Sequence, residues 1–277
     1  MISRYPQQLQ LKDSISGQIE DALSHHQFAI NVPYIEAIGL GAVSGHTPFR
    51  GLGRREALSA AVGGDDVWDG VATTISVPNQ STGQQMAIRS TSVNDTAAGT
   101  NVQQVDIHYL DASGNPQVET VTLNGTTLVN TVATDIRWIQ YIHSQRLGSF
   151  GQTAAGDITC ENTAGTVIYS IIKAGGNLSL SSARMVPAGK NFYLTYVTAG
   201  AVSNKPVSLR LRATCDFEGV LTSGIFLFNE IFELQDSAVF VNFTPPKKIP
   251  EFAIIKGTAY STSAGGACSV SYGGFIE

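Results

Sequence analysis

The residues with metal-binding or catalytic chemistry are few and scattered. There are five histidines, His25, His26, His46, His108 and His143. Imidazoles ligate a metal when they converge with thiolates or carboxylates. His25-His26 is an adjacent pair, and neighbours in sequence point apart on a helix or a strand. Neither Cys nor a carboxylate stands at a familiar ligand spacing, so exposed polar histidines and no metal site are expected. Asp65, Asp66 and Asp69 place three carboxylates close together, the oxygen set of a hard cation. The simpler reading is an acidic turn paired with Arg54 or Arg55. Gly39-Leu40-Gly41-Ala42-Val43-Ser44-Gly45 lacks the Lys-Ser/Thr ending of a phosphate loop. A strand-to-helix G-x-S-x-G turn, which exposes a serine nucleophile, does not occur. Cys160, Cys215 and Cys268 form no C-x-x-C pair and read as reduced residues of a chain made in a cytoplasm. The expectation is a chain that is not an enzyme, with no catalytic residue, metal or cofactor.

Composition points to what must surround such residues. Charged residues are 14% of 277, against about 25% in an ordinary soluble domain. With 28 glycines and 43% hydrophobic residues, the chain has a core but an uncharged polar surface. This balance favours all-β structure and surface covered by partners. Lys and Arg total 17 against 22 Asp and Glu, so duplex nucleic acid is not an expected partner. No apolar run reaches the length of a membrane-spanning helix, and the first residues lack the apolar core of a secretory signal. Neither a membrane nor a secretory route is expected.

Three segments follow from the patterning. Residues 1–70 read as an extended arm with one short helix over 13–23, where Ile15, Ile19, Ala22 and Leu23 share a face. The apolar, aperiodic stretch after it offers Pro33, Tyr34, Ile35, Ile38, Leu40, Phe49, Arg54 and Arg55 as a partner-binding arm. Asp65, Asp66 and Trp68 are its expected anchor, with Trp68 in a pocket and an Asp–Arg surface pair beside it. Such a surface pair contributes only about 0–1 kcal/mol, so Trp68→Ala is expected to cost far more than Asp66→Ala.

Residues 71–174 and 175–277 read as two antiparallel β-sandwich, jelly-roll-like domains. Val102–Leu110 and Val118–Leu123 flank the Asp111–Pro116 turn as a hairpin, and Asn124-Gly125 is a second expected hairpin turn. Val207–Cys215 alternates strictly, with Val207, Leu209, Leu211 and Ala213 on the apolar face. Thr244-Pro245-Pro246-Lys247-Lys248 is expected at an exposed corner, because proline donates nothing to a ladder.

Gly53-Arg54-Arg55-Glu56 followed by Val62-Gly63-Gly64-Asp65-Asp66-Val67-Trp68-Asp69-Gly70 resembles a segment of tailed-bacteriophage virion proteins. Leu110-Asp111-Ala112, Glu119–Thr127, Val186–Lys190 and Ser208–Arg212 are similar to the same family's pattern, in order. The resemblance implies a virion structural protein of the head surface, head–tail neck or tail, without catalysis. Copies of itself and other virion proteins (capsid, portal or neck, tail) are the implied partners. Low charge and an apolar arm independently fit a permanent, symmetric homo-oligomer. The alternative is a glycan-binding receptor module of a tail fibre, for which only Trp68 and Trp138 are available as tryptophan platforms. A β-sandwich glycan hydrolase needs two carboxylates across a cleft, and the acids here fall mostly in turns.

Overall fold

A computed structural model describes residues 34–214 and 226–277. The helix expected at 13–23, His25-His26, Pro33 and Cys215 lie outside the described residues. The chain divides into two compact units, 1–44 and 45–277.

In the first unit, Tyr34–Gly39 forms a six-residue helix, α1, where no period was expected. Its last turn closes through Leu40 N–H to Glu36 O and Ala42 N–H to Ala37 O, with Gly41 at φ +71°. A glycine in the left-handed region is the usual stop of a helix. Ile38 is buried, and Tyr34, Ile35 and Leu40 are exposed.

The described residues of the second unit are all-β. In chain order its strands are β1 (Thr47–Arg55), β2 (Asp65–Asp66), β3 (Met86–Ser90), β4 (Val102–Leu110), β5 (Pro116–Thr122), β6 (Val129–Asn130), β7 (Trp138–Leu147) and β8 (Ile158–Asn162). They continue as β9 (Ile168–Ile172), β10 (Arg184–Met185), β11 (Phe192–Val202), β12 (Val207–Thr214), β13 (Phe226–Leu234), β14 (Ser237–Ile249), β15 (Ile254–Ser261) and β16 (Ala267–Ile276). Among the described residues these form four small antiparallel sheets, in the orders β1-β16-β11-β14, β10-β15-β12-β13 with β2 on β15, β6-β3-β8-β9, and β5-β4-β7.

Two apolar cores and a seam hold them. The first core takes Leu58 and Val67 together with Val197, Leu209, Ile255, Val270 and Tyr272. The second draws on the other two sheets through Ile88, Ile107, Val121, Ile142 and Ile158. Trp68, Leu110, Trp138, Ile171, Met185 and Ile254 pack where the two meet. Residues 86–172 of the second core are thus inserted between two stretches, 49–67 and 186–276, that share the first.

This corrects the arm boundary. Residues 47–55 pair with β16 over nine positions, from Thr47↔Ile276 to Arg55↔Cys268. The glycines that gave this stretch the look of a flexible arm are close-approach positions. A Cβ at Gly51 would stand 2.3 Å from the Tyr272 ring, and one at Gly53 would stand 2.2 Å from Val67 O. Only glycine lets backbone and ring come that near.

Two turn expectations are corrected as well. Asn124-Gly125 makes a tight turn, but β5 and β6 on either side of it pair with β4 and β3, not with each other. Pro245-Pro246 is exposed and takes no partner in the ladder, as expected, but it does not separate two strands. It lies inside β14, an edge strand, where the ladder to β11 slips between Leu194↔Lys247 and Tyr196↔Asn242. An edge strand with a bulge accepts proline, because one side of its backbone has no neighbour to bond. The expected β4–β5 hairpin and the inward face of β12 are present as read, with Val207, Leu209, Leu211 and Ala213 all buried.

Candidate functional site

The acidic run and the arginines before it come together where β1, β2 and β15 meet. Asp65 and Asp66 form β2 and pair with Ala259 and Thr258. Asp65 accepts from Ser59 N–H at 2.9 Å and Ser59 Oγ at 2.7 Å, with Arg55 Nε 3.6 Å away. Arg55 is itself buried. It donates to the carbonyls of Ala57, Gly70, Val71 and Ala72, at 2.6 Å for Gly70, and so ties down the turn after Trp68. Asp66 accepts from Ile75 N–H at 2.8 Å and meets Lys256 Nζ at 2.8 Å.

Arg54 points the other way, to Asp69 at 3.0 Å and Glu56 at 3.2 Å. Burial pushes the Asp69 carboxyl above its ordinary range, and the Arg54 guanidinium pulls only part of that back. A carboxylate with each oxygen already committed to this chain is a structural group. The three aspartates answer to three different cations, Arg55, Lys256 and Arg54, so they do not converge on a single ion.

Trp68 is 2% exposed and sits in the seam between the cores. Its indole N–H donates to Ala72 O at 2.8 Å. Gly70 follows because a Cβ there would lie 2.1 Å from the Trp68 ring.

The other arm residues are dispersed. Tyr34, Ile35 and Leu40 are exposed on or beside α1, and Ile38 is buried. Phe49 packs within its own chain, its ring 4.9 Å from that of Phe192 beside the first core. Phe49, partly buried, and Arg55, buried, therefore support the fold of their own chain, where the arm reading gave them to a partner. The physical reason is the β1–β16 ladder, whose register the local pattern does not carry.

Strand β14 offers a different contact surface. Among the described residues it pairs only with β11. Val239, Val241 and Phe243 lean on the first core while Phe240, 60% exposed, faces outward.

One cluster was missed in the sequence. Asp106 and His108 on β4 and His143 on β7 bring one ligating atom each within 4.8 Å of one another. Asp106 and His108 stand two apart, on one face of a strand. That spacing was the available signal, and His143 joins them only through the cross-strand register.

No protein-family model matches the chain, and none of the curated proteins matches it. Solved structures to which it is similar include infectious bursal disease virus of the Gt strain, at 10% identity over 88% of this chain and 82% of that chain, with a TM-score of 0.21. The Gx strain is similar at 11% identity over 83% and 76% of the two chains, with a TM-score of 0.22. The VP2 subviral particle of the same virus gives 12% identity over 88% and 82%, with a TM-score of 0.15.

Proposed function

We propose that this chain is a structural subunit of a tailed-bacteriophage particle, at the head surface or head–tail neck, assembling as a symmetric homo-oligomer. On this reading the sheet pairs that share each core act as two sandwiches. The motif order from Gly53 to Arg212 supports the family. The low charge supports a surface made to be covered.

The observation that carries the reading is the outer edge of β14. An edge strand with unpaired N–H and C=O groups is a template for another strand. Pro245, Pro246, Lys247 and Lys248 blunt one half of it, the usual protection against indiscriminate pairing. The half from Ser237 to Phe243 carries no such guard and presents Phe240. A second copy of the chain is the occupant this reading assigns to it.

Sedimentation of the full chain beside Phe240→Lys tests the reading. One discrete oligomer that dissociates in the variant is expected. A monomer at every concentration, or an oligomer indifferent to Phe240→Lys, overturns the assigned edge.

A further inference from the structure

We infer that Asp106, His108 and His143 form a binding site for a divalent transition-metal ion, with Zn²⁺ the natural probe. This goes beyond the virion reading and does not depend on it.

The ligand atoms are brought together by the β4–β7 ladder. Asp106 lies directly opposite His143, and His108 opposite Tyr141. All three candidate ligands are on the sheet face opposite the one where Val105, Ile107 and Ile142 enter the second core. The ladder slips between Gln104 and Val105 and again between His108 and Tyr109, so irregularities bracket the site on both sides. Bulges of this kind re-aim side chains and gather beside functional sites.

The distances suit one ion. His108 Nε2 and His143 Nε2 are 3.1 Å apart, and Asp106 Oδ2 is 3.7 Å from His143 Nε2. Two ligand atoms each about 2.1 Å from a common metal are separated by about 3–3.4 Å in octahedral or tetrahedral geometry. Small side-chain rotations bring all three into that range.

Each ligand is also oriented from behind. His143 Nδ1 is 3.2 Å from Ser144 O. A carbonyl only accepts, so Nδ1 is the donor to it, and Nε2 is the ring atom turned toward the site. Thr120 Oγ1 donates to Asp106 Oδ1 at 2.5 Å, which leaves Oδ2 for the site. The Tyr141 ring stacks on His108 with centroids 4.2 Å apart and holds its plane. Backing groups that set the tautomer and rotamer of a ligand are characteristic of metal sites.

Asp106 Oδ2, His108 Nε2 and His143 Nε2 each bring a lone pair to the same small space. A metal ion serves all three. Two imidazoles and one carboxylate on one side of an ion leave its remaining positions open. Water, or a group from a neighbouring molecule, completes the coordination.

The test is calorimetric titration of the full, chelator-stripped chain with Zn²⁺, together with X-ray absorption at the zinc edge. Expected are one equivalent bound with saturation and two imidazoles per zinc. His108→Ala and His143→Ala should each lower the affinity at least about 100-fold, and Thr120→Val about 10–100-fold. His46→Ala serves as an unaffected control. No saturable binding by the unmodified chain overturns the inference. So does binding that survives His108→Ala and His143→Ala but is lost on His25→Ala or His26→Ala. The absorption spectrum of the unmodified chain decides the matter if a variant fails to fold, and a spectrum without paired imidazoles overturns the site.

Discussion

Lys256 Nζ lies 2.8 Å from Asp66 Oδ1 and 2.9 Å from Asp66 Oδ2, joining residues 190 apart in sequence. Their side chains are only 13% and 3% exposed. This is a buried ion pair, not the surface pair expected from the sequence. Removing one partner of a buried pair leaves the other charge uncompensated and costs about 3–5 kcal/mol. Asp66→Ala should therefore lower the melting temperature markedly, to an extent comparable with Trp68→Ala. Replacing both partners, as Asp66→Leu with Lys256→Met, should recover much of the loss. Thermal denaturation of the three variants checks this. A double variant no better than Asp66→Ala contradicts the assignment.

Trp68 is buried within its own chain, so its spectroscopy should not depend on assembly. Its emission should be blue-shifted and shielded from a soluble quencher even in a dissociated Gly45–Glu277 unit, read in a Trp138→Phe background. Truncating a buried aromatic costs about 3–5 kcal/mol, so Trp68→Ala should unfold at lower denaturant. Unchanged melting would contradict the seam described here.

The place where the chain tolerates shortening is sharply defined. Removal of residues 1–44 should leave a cooperative thermal transition, because Gly45–Glu277 is a compact unit by itself. Removal of residues 1–55 should not, because it deletes the nine-residue ladder of β1 on β16 and the buried Arg55. Calorimetry of the two truncations reads the difference directly. Equal melting would show that β1 adds nothing to the first core.

Buried thiols give a chemical check on both cores. Burial pushes the Cys268 thiol up to about 12 and the Cys160 thiol higher still. The thiolate is the reactive form, so neither residue should be alkylated in the native chain at neutral pH. Peptide mass spectrometry after iodoacetamide treatment measures this. Rapid native labelling of Cys160 would contradict the second core.

Local patterns in the sequence carried the all-β class, the β4–β5 hairpin and the inward face of β12. In each case the signal is an alternation or a turn within about ten residues. Strand β1 was hidden because Gly51 and Gly53 occupy positions where another strand's ring or backbone presses close, and these look like flexibility in the sequence. The insertion was hidden for a related reason. The partner of Thr47 is Ile276, and nothing near either residue states that pairing. The Asp106–His108 spacing was legible, but the position of His143 depends on a ladder with three irregular steps. The separate cations of Asp65, Asp66 and Asp69 were half legible. The arginines stood close in sequence, whereas Lys256 comes from β15 at the far end of the chain.

The central proposal is that this chain is a particle subunit, and immunoelectron microscopy of purified phage particles tests it most directly. Antibody raised against the Gly45–Glu277 unit should label intact particles at regular positions on the head surface or at the neck. Particles that remain unlabelled, with the chain recovered only from the soluble fraction of the infected cells, would contradict it.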